Sequence, residues 1–548
     1  MLCPGSRSGP LASAAGHLAS RGELILTTAI DERSAGFLAL GMATAAGNAV
    51  AVVTTSGTAV ANLLPAVVEA DRSIQPLVLL TADRPQRLKE CGANQTVNQE
   101  GFLLPACRWF WSDAPNGLHG QNAEELLGLA LEAWIHAHGT AESAPGPVHL
   151  NLPFEEPLHA SAFDSPESLL PSSTALTSAS PVDQPVDDAS IPCLKPDQPG
   201  VVIAGPWRGL MPSLSSYRSA VRRWLEISGW PLFADPLAGL PVDLPGRIHH
   251  WELLLESLPV PGDCQVLRLG PLPASRRLES WLQKREGEQL LITEGERRCL
   301  DSLSMAQQWN GGVARWIAAQ RQTGKSPPLD WMDRDRSLAA QLAASLPMAG
   351  QITEPALAYH LPRLLPEGFP VMLAASSPVR DWLIWSGAPG SDRRCFSFRG
   401  ASGIDGTLSL AMGLSKELGP LTLLTGDLAL LHDSNGWLLA GRNGPPLLVV
   451  LIDNGGGGIF EQIPMEPLSA DVFDRLFAMP QQVDPLALAA AHGVEGRTVS
   501  CFEDLQESLA WGLAQGRPAL LRLGTDRRKD ACLRLSLRRA AQNTEFPG

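Results

Sequence analysis

Short apolar runs recur along this chain, bounded by glycine, proline or small polar residues and followed by stretches with helical spacing. "ELILTTAI" (23–30) precedes "SAGFLALGMATAAG" (34–47). "AVAVVTT" (49–55) precedes "TAVANLLPAVVEA" (58–70), and "PLVLLTA" (76–82) follows. Continuous apolar runs alternating with helical patterns predict βαβ units around a parallel sheet covered on both faces. A second series carries "GVVIAG" (200–205), "CQVLRLG" (264–270) and "QLLIT" (289–293). A third carries "PVMLAAS" (370–376), "LTLLTGD" (421–427), "PLLVVLID" (446–453) and "PALLRLG" (518–524). Between the first two series, residues 165–199 are rich in Ser, Pro and Asp and read as a linker. A polar helical stretch, about 301–345, leads into the third series. The prediction is α/β: three consecutive doubly wound parallel-sheet domains, over 1–164, 200–330 and 345–548.

Composition narrows the class of function. With 548 residues, 44% hydrophobic and 18% charged, the chain has the makings of several packed cores. A formal net charge of −14 argues against nucleic acid or an anionic membrane as the main partner, and leaves small anionic ligands open. Nine cysteines stand apart with no CxxC pair, as expected of free thiols in the cytoplasm. The first residues lack a basic region followed by an apolar core, and no apolar run approaches the roughly 20 residues that span a bilayer.

Candidate chemistry concentrates at strand ends, where open parallel sheets bind ligands. "LLTGD" ends in Gly426–Asp427. "VVLID" ends in Asp453, and Asn454 follows 27 residues after Asp427. A carboxylate and an amide oxygen at neighbouring strand tips make a hard-oxygen site suited to Mg²⁺, which also takes phosphate and water ligands. Four glycines, 455–458, follow. Ordering them is entropically costly, yet they let phosphates approach the backbone with no Cβ in the way. A plain turn after a buried strand is the alternative for the glycines alone. Glu32 opens an apolar helix, where an acid favours the helix dipole. Arginines at element ends (Arg7, Arg84, Arg276, Arg277, Arg380 and Arg399) could form surface ion pairs or grip carboxylates in bidentate fashion. No GxGxxG follows a predicted strand, which disfavours a dinucleotide-binding reductase.

The paired GD and Asn resemble the metal–diphosphate motif of thiamine-diphosphate enzymes, with Leu428 where a third-position glycine is usual. "CPGSRS", "IDERSAGFLALG", "TSGTAVANLLPAVVEA", "LTADRP", "GANQ", "FRGASGIDG", "GDLALLHD" and "DNGGGGIF" together resemble one branch of them. That branch is the 2-succinyl-5-enolpyruvyl-6-hydroxy-3-cyclohexene-1-carboxylate synthases of menaquinone and phylloquinone biosynthesis. The family tolerates a non-glycine after the GD.

The resemblance implies a carboligase using thiamine diphosphate and Mg²⁺, with Mn²⁺ as a substitute. It would decarboxylate 2-oxoglutarate and add the succinyl unit to isochorismate in a 1,4-addition. It implies a pyrimidine-binding first domain and a diphosphate-binding third domain, in a homodimer or homotetramer with active sites at the subunit interface. Glu32 matches the acid that activates the cofactor, and Asn94 and Gln95 match active-site amides. Asp427, Asn454 and the Gly456 carbonyl match the metal ligands. Ser402, Gly403, Ile404, Leu428, Gly457, Ile459 and Phe460 match cofactor-contacting positions, Ile404 as the apolar wedge under the cofactor. Arg7, Arg84, Gln95, Ser376, Arg380 and Arg399 match substrate positions, and Arg276 and Arg277 match a Lys–Arg pair.

Members of the family carry about 30 residues ahead of the CPGSR motif, roughly a helix and a strand of a βα unit. The resemblance therefore leads us to expect a natural chain longer than this one at its N-terminus. Two other readings stay open at the level of sequence: an acetolactate-synthase-like carboligase and a non-catalytic cofactor-binding relative.

Overall fold

A computed structural model describes residues 1–112, 118, 120–159, 191–327, 330–387, 392–441, 444–463 and 468–543. The predicted linker lies outside these residues except for 191–199. The chain forms two compact units. One takes its described part from residues 1–159, 398–417 and 435–439, the other from 191–397, 418–434 and 440–543.

The first unit is built on a four-stranded sheet in the spatial order Val50–Thr54, Leu77–Asp83, Pro147–Pro153, Trp109–Ser112. Every pairing in it is parallel. Two expected strands, 49–55 and 76–82, are present almost as read. The expected strand at 23–30 is not. That segment makes one isolated bridge, Leu2 to Thr28, while Ile25 stays 85% exposed and Ile30 74% exposed. Leu2 offers backbone to it, donating to the Thr27 carbonyl and accepting from Ala29 N–H, and the Leu18 carbonyl accepts the Glu23 N–H. Its apolar residues read as a strand, but too few backbone partners lie alongside for a ladder.

Helix Glu32–Ala46 packs on helix Thr407–Leu418 through glycine. A Cβ on Gly41 would sit 2.2 Å from the Leu410 carbonyl oxygen, and one on Gly413 would sit 2.1 Å from that of Leu38. The two backbones touch because neither position has a side chain. Phe37 and Phe398 meet edge to face beside them, with ring centroids 5.7 Å apart.

A buried polar chain crosses the sheet. His149 Nε2 lies 2.7 Å from Thr81 Oγ1, whose hydroxyl also donates to Asn151 Oδ1. Gln99 Nε2 donates to the same oxygen, and Gln99 Oε1 accepts from Gly57 N–H at 2.9 Å. The sheet interior thereby fixes the loop at its strand tips.

The second unit holds two parallel six-stranded sheets. The first runs Gln307–Trp309, Gln289–Ile292, Gln265–Leu269, Gly200–Ala204, Leu232–Ala234, Arg247–Ile248. Phe233 stacks on both Trp251 and Trp331, at 5.6 Å each, in the core beneath it. The stretch expected to be helical over 301–345 is only partly so: it contains the edge strand Gln307–Trp309 and the helices Val313–Ala319 and Trp331–Ser345. Trp309 and its neighbours extend the sheet from Ile292, a long-range pairing that local helical spacing does not report.

The second sheet runs Arg393–Phe396, Gly368–Leu373, Leu421–Gly426, Leu447–Asp453, Ala519–Gly524, Glu495–Val499. In chain order this is 2-1-3-4-6-5, so the strand order reverses between Gly368–Leu373 and Leu421–Gly426. Such switch points open a crevice beyond the carboxyl ends of the strands. Among the described residues, no helix is long and apolar enough to cross a membrane.

Burial in the first unit has a pH signature. Desolvation lowers the His149 pKa to about 4, against a smaller upward pull from Asp83. The unfolded imidazole protonates near its ordinary 6.5, so the unfolded chain binds more protons between those limits. The stability this group contributes is complete above pH 6.5 and is lost as pH falls through 4, about 3 kcal/mol in all. His149→Phe removes the titration and leaves Thr81 its bond to Asn151. In urea unfolding at pH 7 and pH 4.5, the variant should lose less stability on acidification than the wild type; equal losses refute the assignment.

Candidate active site

The crevice of the last sheet collects side chains from three adjacent strands. Gly368–Leu373 leads to Ser376 and helix Ser377–Trp385, Leu421–Gly426 to Asp427, and Leu447–Asp453 to Asn454. Parallel register alone brings Asp427 and Asn454 together: Gly426 pairs with Ile452.

Asp427 Oδ1 accepts the Leu428 N–H and Oδ2 accepts the Gly456 N–H, both at 2.7 Å. Burial outweighs these bonds and raises its pKa to about 6. Asn454 Nδ2 donates to Glu354 Oε1 at 2.8 Å, whereas Asn454 Oδ1 is buried and has no partner. A buried acceptor left alone costs about 1–3 kcal/mol. An oriented amide oxygen beside a carboxylate that burial leaves short of partners fits a hard divalent cation. The described residues hold no cluster of three or more His, Cys, Asp or Glu side chains suited to a metal. An ion here would therefore take carbonyl, phosphate or water oxygens as well.

The glycine run is shaped by what approaches it. Gly455 and Gly456 have φ of 76° and 109°, the left-handed side that side chains disfavour. A Cβ on Gly456 would lie 1.9 Å from the Ala478 carbonyl oxygen. That carbonyl accepts the Gly457 N–H at 2.6 Å, and the Gly456 carbonyl accepts the Gly458 N–H. Arg527 Nη1 donates to the Gly455 carbonyl, and Arg527 pairs with Glu461 and Asp474. Ile459 and Phe460 lie in the short 3₁₀ turn Gly458–Gln462, where Phe460 packs on Phe477. The glycines are thus pinned.

Ser376 adopts φ of 75°, and its carbonyl accepts from Arg380 Nη1 at 2.7 Å. Arg277 belongs elsewhere in the same unit. It opens toward Glu252 and Glu256, at 3.7 and 3.4 Å, while Arg276 is exposed at the start of helix Arg276–Leu282. No described contact joins either to Asp427 or Asn454.

The first unit assembles the remaining predicted residues in three groups. Arg84 Nη1 bonds Ser56 Oγ and the Gln95 carbonyl, and Gln95 Nε2 donates to the Ser56 carbonyl. Gln95 sits at φ of 59°, and a Cβ on Gly57 would fall 2.8 Å from its Cγ, so the loop needs glycine there. Arg7, buried, donates to the Phe154 carbonyl, and its Nε is buried without a partner. Burial first, and then the Arg7 charge, lower the Arg84 pKa, so two guanidiniums share this corner. Such a pair suits carboxylate ligands. Asn94 and Gln95 stand exposed at its edge.

In the second group, Glu32 is half-buried at the first turn of its helix. Asp31 caps that helix by accepting from Arg33 and Ser34 N–H, and also accepts from Asn435 Nδ2. A cavity of about 240 Å³ opens beside the cap, lined by Pro4, Ile30, Asp31, Ser34 and Leu438 among others.

Ser402, Gly403 and Ile404 form a loop held by a residue that sequence reading missed. Glu69, on helix Leu64–Ser73, accepts three consecutive N–H groups, from Gly400, Ala401 and Ser402, at 2.7, 2.6 and 3.1 Å. Ser402 has φ of 64°, and Arg399 reaches Ser402 Oγ at 3.5 Å. The Glu69 carboxylate thus turns a strained loop toward Ile404. The sequence signal for it was an acid following the apolar run Leu64–Val68 of its helix.

Known proteins resemble the chain throughout. Residues 2–102 match the family described as thiamine pyrophosphate enzyme, N-terminal TPP binding domain. Residues 191–370 match the middle domain of thiamine pyrophosphate enzymes, and 389–523 the C-terminal TPP binding domain. A 2-succinyl-5-enolpyruvyl-6-hydroxy-3-cyclohexene-1-carboxylate synthase of Synechococcus sp. (strain CC9902) is 63% identical over 557 aligned positions, covering 100% of this chain and 98% of the relative. The synthase of the same name from Parasynechococcus marenigrum (strain WH8102) is 64% identical, covering 100% and 99%. That of Prochlorococcus marinus (strain MIT 9313) is 56% identical, covering 98% and 96%. In fold, an X-ray structure from Mycobacterium smegmatis, assigned to the thiamin diphosphate-dependent enzymes, superimposes with a TM-score of 0.64 at 17% identity. It covers 96% of both chains.

Glu69→Ala would strand three loop N–H groups. We expect a stability loss of about 2–4 kcal/mol and faster hydrogen exchange confined to 399–404. Wild-type exchange there would show that the loop holds itself.

Proposed function

This chain belongs to the 2-succinyl-5-enolpyruvyl-6-hydroxy-3-cyclohexene-1-carboxylate synthases, a family of thiamine-diphosphate enzymes, and from that premise we propose how its own residues are deployed. The reaction takes carbon dioxide from 2-oxoglutarate and adds the remaining succinyl unit to isochorismate, with thiamine diphosphate, when bound, supplying the electron sink. It serves menaquinone or phylloquinone biosynthesis.

Asp427 and Asn454 Oδ1 hold Mg²⁺, for which Mn²⁺ substitutes, and the Gly456 carbonyl offers its second lone pair. Leu428, Gly457, Ile459 and Phe460 line the diphosphate, which the glycine backbone admits closely. Ser402, Gly403 and Ile404 present an apolar edge to the thiazolium. Glu32 faces the aminopyrimidine nitrogen and holds or releases a proton there. The single observation that carries this reading is the orphaned, buried Asn454 oxygen beside Asp427 at adjacent strand tips.

Arg7, Arg84 and Arg399, with Asn94 and Gln95, grip substrate carboxylates on one side. Ser376 and Arg380 do so at the switch-point crevice. The paired state of Arg277 makes it a supporting contact, and Arg276 stands with it. Residues 1–164 serve as the pyrimidine-binding domain, 200–330 as the central domain and 345–548 as the diphosphate domain. Glu32 acts on cofactor held by a sister subunit of a homodimer or homotetramer. The exposed Ile25 and Ile30 near it, together with the open cavity, support a face that another copy covers. The cytoplasm is the expected setting. The closed site positions both substrates and keeps water from competing with the addition.

Mass spectrometry of the products formed from 2-oxoglutarate and isochorismate with thiamine diphosphate and Mg²⁺ tests the reading. The succinyl adduct is expected, and acetolactate formed from pyruvate in its place would overturn it. Glu32→Gln should leave cofactor uptake within about threefold and cut turnover by about 10²-fold or more, the scale of lost proton-transfer catalysis. Unchanged turnover would remove Glu32 from its role.

A further inference from the structure

We infer that Glu354 is a positioning residue for the metal: it selects which end of the Asn454 amide faces the cation. This rests on the metal site proposed above. Glu354 lies at the start of helix Glu354–Leu364, is 2% exposed, and is 100 residues from Asn454 in the chain. Its two oxygens are committed in opposite directions. Oε1 accepts from Asn454 Nδ2 at 2.8 Å, and Oε2 accepts from Arg534 Nη2 at 2.6 Å. Arg534, also buried, is held from its other side by Asp381, with Nε to Oδ1 at 2.9 Å.

Both neighbours of Glu354 are donors, and only a carboxylate accepts from both. An Asn amide can present either end, and its hydrogen-bond network decides which. Because Glu354 is acceptor-only, Nδ2 must face it, and Oδ1 is turned into the site, where it has no protein partner. A ligand oriented from outside the coordination sphere is the usual way in which metal affinity is tuned.

E354Q makes the logic visible. The introduced amide has one acceptor and two neighbours that need one. If its oxygen serves Arg534, its NH₂ meets the Asn454 NH₂. Asn454 then relieves the clash by flipping, which turns Nδ2 toward the metal. Adding N454D cures this without restoring Glu354. The introduced carboxylate accepts the new NH₂ and still offers the cation an oxygen, since both its ends are oxygens.

The test is a Mg²⁺ titration of thiamine diphosphate uptake by the full chain, followed by calorimetry, with thermal unfolding of the cofactor-free protein alongside. We expect E354Q to raise the Mg²⁺ concentration for half-maximal uptake by about 10- to 100-fold, and E354Q/N454D to return to within about threefold of the wild type, the mark of direct coupling. E354D keeps the charge facing Arg534 but draws the acceptor back from Asn454. It is the second variant should E354Q fold poorly, and it should show a similar rise. D381N breaks the same buried cluster away from Asn454; it should lower the unfolding temperature and leave the Mg²⁺ requirement within about threefold. A wild-type requirement in folded E354Q or E354D, no rescue in the double variant, or an equal rise in D381N would each overturn the inference while leaving the metal site standing. Uptake by the wild type that is indifferent to Mg²⁺ would overturn both.

Discussion

The constraint on which the rest depends is electrostatic: a carboxylate and an amide oxygen that the fold desolvates at adjacent strand tips. Asp427 is buried until its pKa rises to about 6, even with two backbone N–H groups on it, and the Asn454 oxygen is buried with nothing on it. The unpartnered Asn454 oxygen alone costs the protein about 1–3 kcal/mol. A cation bound as proposed would remove that cost, so folding work would be stored as affinity. Parallel register sets the spacing, because Asp427 and Asn454 follow strands that pair residue for residue along six positions. Nothing in the loops has to find that geometry.

What the loops must do is stay still. Four glycines would be slack in isolation, yet here the Ala478 carbonyl, the Arg527 guanidinium and the Asp427 carboxylate each grip a different backbone group within them. The absence of Cβ atoms is what allows these close approaches: a Cβ on Gly456 would fall 1.9 Å from the Ala478 carbonyl oxygen. Glycine serves as a material for dense backbone packing, and its entropy is suppressed by contacts made from other elements. Gly41 and Gly413 use the same property between two helices, and Gly57 uses it against Gln95.

Much of this was legible in the sequence. The strands of the third region end where their apolar runs end, and Asp427 and Asn454 were readable because a polar residue at a strand tip is a local signal in sequence. Arg7, Arg84 and Gln95 were named from motif resemblance, and the structure places Arg84 and Gln95 on Ser56 with the Arg7 charge close to Arg84. The segment 23–30 was misread because apolar, β-branched composition reports strand propensity and not whether a partner strand exists. The edge strand Gln307–Trp309 was missed for the converse reason, since its only strong signal is the neighbour it pairs with. Glu69, Glu354 and Arg534 were missed because their partners lie 331, 100 and 180 residues away. An acid in a helix looks the same in sequence whether it faces solvent or holds a loop.

Glu69 and Glu354 share one physical device. In each unit, a buried carboxylate on a helix accepts from groups of a non-regular segment that carries site residues: backbone N–H of 400–402 for Glu69, the Asn454 amide for Glu354. A buried carboxylate is an expensive object unless every lone pair is used. This makes it a discriminating clamp, because any loop conformation that withdraws a donor exposes a charge to low dielectric. A neutral acceptor would hold the same loops with weaker preference among their conformations. Within each unit, precision therefore comes from such supporting carboxylates, which penalise wrong arrangements of the segment they hold.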